Sequence, residues 1–201
     1  MTGRAVLAEK NRWRTAVVAA RRALPATERA ARATALAAAA VDLAATTGGP
    51  VCAYVPVGSE PGSLDLVAAL HDAGHEVLLP VVLPGREPLD WAAYTGPDSL
   101  AAGPLGLREP AGPRLGPDAV GRARLVLVPG LAADRSGVRL GRGAGHYDRS
   151  LPLVGPDVPI VIVLNDDELV ERLPAEPHDR PVTGALLPGA GLVTLGNNRR
   201  P

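Results

Sequence analysis

The residues with the clearest chemical content form the run Arg139-Leu140-Gly141-Arg142-Gly143-Ala144-Gly145-His146-Tyr147-Asp148-Arg149. Glycines at alternate positions let backbone N–H groups come close to phosphate oxygens, because no Cβ stands in the way. Arg139 and Arg142 add positive charge there, and a guanidinium can grip two phosphate oxygens at once. Asp148 supplies the hard oxygen donor that Mg²⁺ prefers. A helix starting just after the glycines would add its own partial positive charge. Glycine spacing alone also fits an ordinary turn. The two arginines and the aspartate make a phosphate and Mg²⁺ site the better reading. The run is not a Walker A loop, since no Gly-Lys-Ser/Thr ends it, and its glycine spacing is not that of a dinucleotide fingerprint.

The elements that must carry this loop follow from periodicity and breakers. Residues 4 to 23 read as a helix interrupted by Pro25, and a second helix runs from Thr27, taken as its N-cap, to about Ala45. Gly48-Gly49-Pro50 ends that helical pair. The apolar run Val51 to Val57 predicts a buried strand, and Ser63 caps a helix over 64–73 closed by Gly74. Strands follow at 76–83, 89–94, 124–128, 160–164 and 192–195, with a short helix near 147–151 and another over 166–172. Residues 96 to 117 are rich in Gly and Pro and read as mostly irregular. Strands alternating with helices predict an α/β fold, a three-layer sandwich with a mainly parallel central sheet flanked by helices. The expected organisation is a single domain over 1–201, with helices over 1–47, an α/β core over 48–196 and a loose tail over 197–201. The glycine loop then falls beyond the carboxyl end of the 124–128 strand, where open α/β sheets bind ligands.

Composition narrows the function classes. The 201 residues are 46% apolar, with no Phe, so the core must be built from Ala, Val and Leu. Lys and Arg number 21 and Asp and Glu 21, which argues against a general polyanion-binding surface but leaves room for local basic patches. With 2% aromatic residues as well, nucleic-acid binding is the weakest reading. Cys52 is the only cysteine, so the chain can form no internal disulfide and no cysteine-based zinc site. Cys52 sits in an apolar run, where a buried, inert thiol is expected. No stretch has the length of apolar residues that spans a membrane, and no secretory leader is evident near the N-terminus. The expectation is a soluble, cytoplasmic protein, a monomer, with no nucleic-acid or membrane partner.

The glycine loop and the strand before it, Val128-Pro129-Gly130-Leu131-Ala132 through Asp134 to Arg149, resemble the signature of the 5-formyltetrahydrofolate cyclo-ligase family (methenyltetrahydrofolate synthetases). Other stretches resemble family motifs in the same order. These are Lys10-x-x-x-Arg14, Tyr54 to Ser63 with Glu60, Gly106-Leu107-Arg108-Glu109-Pro110, and His178-Asp179. Taken singly, Lys10 and Arg14 read as an exposed helix face, Glu60 as a turn carboxylate and His178-Asp179 as a turn. Only their shared order points elsewhere.

The resemblance implies an enzyme that uses ATP as co-substrate and Mg²⁺ to close 5-formyltetrahydrofolate to 5,10-methenyltetrahydrofolate. The formyl oxygen would attack the γ-phosphate, and the second folate nitrogen would then displace phosphate from the activated carbon. The resemblance further implies that Lys10, Arg14, Arg139, Gly141, Arg142, Gly143, Ala144 and Gly145 hold ATP. Val55, Glu60, His146 and Tyr147 would meet the folate, and Asp148 and Asp179 would hold the metal. Arg142, Tyr147 and Asp148 would be the catalytic set. The chain departs from the family pattern at His146, at Glu168, at Thr183 and at Leu187-Pro188. A non-catalytic folate- or nucleotide-binding protein, and an ATP-dependent ligase for another substrate, remain as alternatives.

Overall fold

The computed structural model describes residues 3–85, 87–103, 108–174 and 180–196. The chain begins with two long helices, α1 (Gly3–Ala23) and α2 (Ala26–Thr47). Pro25 precedes α2 directly and no side chain caps it, so Thr27 lies inside the helix rather than at its N-cap. Proline already fixes the entry dihedral and needs no capping partner there. Strand β1 (Val51–Cys52) follows, then α3 (Leu64–Asp72), whose Ser63 hydroxyl accepts from the Asp65 N–H at 3.1 Å. The strands β2 (Val77–Val81) and β3 (Asp90–Tyr94) come next. A short pair, β4 (Leu100–Ala102) and β5 (Arg108–Pro110), occupies part of the region expected to be irregular. The rest comprises β6 (Leu125–Pro129), β7 (Ala132–Asp134), β8 (Arg139–Leu140), α4 (His146–Ser150), β9 (Ile160–Val163), β10 (Leu169–Val170), β11 (Gly184–Leu187) and β12 (Gly191–Thr194).

Seven strands form the main sheet in the order β12-β11-β9-β6-β1-β2-β3. Pairings from β11 through β2 are parallel, and only the edge strands β12 and β3 run antiparallel. After β1 the chain moves to β2 on one side, whereas after β6 it moves to β9 on the other. The sheet therefore reverses its winding between β1 and β6, which opens a crevice beyond their carboxyl ends.

Period-two alternation divides the core. Val51, Leu125, Leu127, Val161 and Val163 pack under α2 and α3 with Leu36, Ala40, Leu66 and Leu70. Cys52, Val126, Val128, Ile160 and Ile162 face the opposite layer with Trp91, Val120, Leu151 and Val154. That second layer is built largely from 3-10 turns at 117–122 and 151–153 and from α4, in place of long helices. Small apolar residues on α2 let it lie close to the sheet. Helix α1 packs elsewhere. Its Trp13, Val17 and Val18 cover the small sheet β10-β7-β8 through Leu131, Leu140 and Leu173.

Two expectations are corrected and one strand is added. Residues 166–172 form a 3-10 turn at 166–168 and then β10, not a helix. The Asn165 amide and Glu168 carboxylate close this turn on each other's backbone, and the chain after it pairs with β7. Paired strand at 51–57 stops at Cys52, because the chain beyond turns away over the sheet edge. Strand β11 is buried throughout and lies outside the strands expected from the sequence. Among the described residues no helix is long and apolar enough to cross a membrane.

Candidate active site

Beyond β1 the chain runs through Tyr54, Val55 and Val57 to Glu60. The Tyr54 hydroxyl donates to the Pro61 carbonyl at 2.7 Å, pinning the far end of this loop to its start. Glu60 folds back on the loop. Its Oε2 accepts from the Val57 N–H at 2.9 Å, and its Oε1 meets Arg142 Nε at 3.1 Å. Arg142 also donates through Nη2 to the Val57 carbonyl at 3.1 Å. Burial raises the Glu60 pKa above its ordinary value, and the Val57 N–H and Arg142 offset this in part. Burial, with Glu60 nearby, pushes the Tyr54 and Tyr147 phenols up, so both remain protonated donors.

Beyond β6 the chain reaches Gly130, where a Cβ would lie 2.3 Å from Ile162 Cδ1, so a larger residue would force the Ile162 side chain to move. The β7–β8 hairpin then delivers the glycine loop. Buried Asp134 shapes this hairpin: Oδ1 accepts from the Ser136 and Val138 N–H groups at 2.9 and 3.1 Å, and Oδ2 from the Leu173 N–H at 2.9 Å. Helix α1 grips both ends of it. Arg14 Nε donates to the Gly141 carbonyl at 3.0 Å, and Arg21 Nη2 donates to the Gly130 carbonyl at 2.7 Å. Arg21 in turn forms a fully buried pair with Glu168, Nε to Oε1 at 2.6 Å and Nη2 to Oε2 at 2.7 Å. Within the loop Gly143 and Gly145 take φ of +104° and +72°, backbone that side chains with a Cβ rarely adopt.

The two loops enclose a cavity of about 310 Å³. It gathers Val55, Glu60, Arg139, Gly141, Arg142, Gly143, Ala144, Gly145, His146, Tyr147 and Asp148, nearly the full set singled out from sequence. Tyr54, Val57, Pro80, Val82 and Leu89 add apolar wall. Arg139 is buried and pairs with Asp148, and its Nε has no hydrogen-bond partner. An orphaned buried guanidinium N–H is costly to the fold. Burial and Arg149 lower the His146 pKa below its ordinary value. Cys52 is buried, and burial pushes its thiol pKa up, as expected of an inert cysteine.

Other residues stand differently. Arg14 reaches the glycine loop from α1 but lines the adjoining groove with Arg142. Lys10 is buried on the same helix and does not line the cavity. His178 and Asp179 lie outside the described residues. Glu109, quoted in a motif without a role, lines the cavity beside Arg108, its Oε1 accepting from the Val82 N–H at 2.9 Å. The Arg21–Glu168 pair was also missed. Its only sequence trace is an acidic residue where the family pattern often has Gln, and nothing linked it to a helix so distant along the chain.

The 5-formyltetrahydrofolate cyclo-ligase family matches residues 6–188. The chain belongs to this family. A 5-formyltetrahydrofolate cyclo-ligase of Mycolicibacterium smegmatis is 46% identical over 190 residues, covering 92% of this chain and 97% of that one. The Escherichia coli protein of the same name is 30% identical over 140 residues, covering 69% and 77%. Among solved structures, the 5,10-methenyltetrahydrofolate synthetase of Aquifex aeolicus superposes with a TM-score of 0.74 at 28% identity, covering 96% of this chain and 95% of that one. A Mycoplasma pneumoniae structure at 18% identity, TM-score 0.68, covering 87% and 95%, shares the fold.

The donor chemistry present is sparse but would suit Mg²⁺. Among the described residues no group of three or more His, Cys, Asp or Glu could hold a metal. Mg²⁺ keeps several waters and is commonly held by one or two carboxylates plus substrate phosphates. Asp148 offers such a carboxylate at the mouth of the glycine loop, with Oδ1 paired to Arg139.

Proposed function

We propose that the protein closes 5-formyltetrahydrofolate to 5,10-methenyltetrahydrofolate, using Mg-ATP and releasing ADP and phosphate. The observation that carries this is one cavity shared by Glu60 and the glycine loop, with Arg142 bridging them at 3.1 Å. Family membership supports the same reading. The apolar walls suit the flat pterin ring, and Glu60 accepts hydrogen bonds from its N–H groups. Backbone N–H groups from Gly141 to Gly145 face the triphosphate, with Arg14, Arg139 and Arg142 neutralising it.

A formyl oxygen is a poor leaving group. Transfer of the γ-phosphoryl group to that oxygen makes it a good one, and the neighbouring folate nitrogen then forms the new C–N bond as phosphate departs. The protein's task is to hold two ligands in line and to balance charge. Arg142 touches both halves of the site, so it can follow the charge that develops on the transferring group. Tyr147, kept protonated, donates a hydrogen bond to the folate. Asp148 and Asp179 would hold Mg²⁺, which when bound shields the phosphate charge. We place the protein in the cytoplasm as a monomer acting on small molecules.

Purified protein given Mg-ATP and 5-formyltetrahydrofolate should generate methenyl absorbance, and none without ATP. Tight binding of either ligand with no turnover would sink the proposal in favour of a non-catalytic binder. Turnover only with a different acceptor would point to another ligase.

A further inference from the structure

Among the described residues three carboxylates line the cavity, those of Glu60, Glu109 and Asp148. Two of them meet arginines, Glu60 with Arg142 and Asp148 with Arg139. Glu109 forms no ion pair among the described residues, and its hydrogen bond there comes from the Val82 N–H to Oε1 at 2.9 Å. It is 8% exposed, and a carboxylate so deep is ordinarily paired with a cation. The fold nevertheless holds it in place. Glu109 lies in β5 opposite Ala101 of β4, and the proline after it keeps its backbone extended. Past Pro110 the pairing continues, the Ala111 N–H donating to the Ser99 carbonyl at 2.8 Å. A Cβ at Gly103 would come within 2.9 Å of Glu109 Oε2, so glycine there leaves the carboxylate its room.

The proposed reaction has a proton to dispose of. The folate nitrogen that closes the ring carries a hydrogen in 5-formyltetrahydrofolate and none in the methenyl product. Glu60 and Asp148 are committed in that proposal, one to the pterin and one to Mg²⁺, which leaves one carboxylate of the cavity without a task. We infer that Glu109 is the base that takes this proton, a role that rests on the function proposed above. The nitrogen's lone pair forms the C–N bond to the phosphorylated formyl carbon. Its N–H bond then breaks, the proton going to Glu109 Oε2 and the electron pair staying on nitrogen. That pair forms the C=N bond as the C–O bond breaks, and phosphate departs with the C–O electrons. Oε1 still accepts from the Val82 N–H when Oε2 is protonated, so the transfer does not loosen the side chain. Phosphate leaves as the stronger base and carries the proton out, which returns Glu109 to its carboxylate.

The test is a single turnover with enzyme in excess of 5-formyltetrahydrofolate and saturating Mg-ATP. Quenched samples read ADP, and absorbance reads the methenyl product. E109Q keeps an acceptor for the Val82 N–H, and a thermal melt like that of wild type shows that it folds. It should form ADP at close to the wild-type rate while methenyl formation slows about a hundredfold, the lower end of what a positioned base contributes. KM for 5-formyltetrahydrofolate should change little, and E109D, which keeps a carboxylate, should regain part of the closure rate. Methenyl formation at the wild-type rate in E109Q overturns the inference. So does an equal loss of ADP and methenyl formation, or a raised KM alone, each the mark of a carboxylate that only shapes the pocket. If E109Q does not fold, E109D carries the test: closure slowed more than ADP formation upholds the role, and equal slowing refutes it. Neither ADP nor methenyl product from wild type defeats the proposed function and this role together. A working wild type with an unaffected E109Q defeats the role alone.

Discussion

Replacing Glu60 by Gln separates what the carboxylate does for the fold from what it does for the ligand. Burial raises the Glu60 pKa in the folded protein. In the window between the ordinary and the raised pKa the native state therefore holds more protons than the unfolded one. Folding stability falls as pH rises through that window and stays lower above it. An ionised Glu60 thus works against the fold at neutral pH, and Gln escapes this penalty. Gln loses the pair with Arg142, whose side chain is 48% exposed, a loss of at most about 1 kcal/mol. The Val57 N–H keeps an acceptor in the Gln carbonyl. E60Q should accordingly melt within a few degrees of wild type at pH 7, and wild type should gain on it as the solution is made acidic. Folate recognition moves the other way. A charge-assisted hydrogen bond is worth about 1.5–3 kcal/mol, so E60Q should raise KM for 5-formyltetrahydrofolate about tenfold to a hundredfold. Wild-type affinity should also fall as pH drops through the raised Glu60 pKa, and that fall should vanish in E60Q. Melting curves across pH and initial rates at saturating ATP measure both halves. An unchanged KM would refute the ligand role, and a stability loss above about 3 kcal/mol would refute the burial argument.

Three further outcomes follow from the geometry. Asp148→Ala should leave the circular dichroism spectrum intact and cut Mg²⁺-dependent turnover by about a hundredfold or more, the scale of losing one electrostatic group at a phosphoryl-transfer site; wild-type rates would overturn the metal assignment. Glu168→Ala strands Arg21 as a buried charge and should cost about 3–5 kcal/mol in a denaturant titration, with E168Q milder because Gln can still accept from Arg21; equal stability of E168A and wild type would contradict the pair's role. Arg14→Lys keeps the charge but loses the planar fork that bonds the Gly141 carbonyl, so KM for ATP should rise about tenfold without recovery at higher Mg²⁺; an unchanged KM for ATP would mean that Arg14 serves the loop only as a point charge.

The parts legible in sequence are those written in local patterns. Continuous apolar runs marked β6 and β9, Ser63 marked the start of α3, and the glycine–arginine run marked a loop that lines the cavity. What escaped depends on contacts between distant segments. Strand β11 is buried throughout like β9, but its Gly-Ala-Leu-Leu sequence lacks the β-branched residues that marked β9 as a strand. The 166–168 turn carries a helix-like acidic start, yet Glu168 spends its carboxylate on Arg21 and on Asn165, which ends the helical course at once. The β7–β8 hairpin was hidden because its strands are short and its stability comes from Asp134 gathering N–H groups from two separate loops. At the site, Glu60 carried no signal except through family resemblance, since one glutamate in a Gly-Ser turn looks like any other.

Those unread contacts explain how α1, which packs on the small sheet, helps shape the candidate site. Its arginines hold the carbonyls of Gly130 and Gly141, the two points where the chain enters and leaves the β7–β8 hairpin. The hairpin sets where the glycine loop stands over β6, so the position of the loop is fixed from outside the sheet. Two ion pairs complete the arrangement, Arg139 with Asp148 and Arg142 with Glu60. Each joins a group suited to phosphate with a group suited to a different ligand. The site is therefore close to neutral before either ligand arrives. In the proposed function, phosphates that took the guanidinium groups would release both carboxylates together, one toward a cation and one toward the pterin. Charge would be exchanged rather than added, which limits, without abolishing, the burial penalty that Glu60 carries.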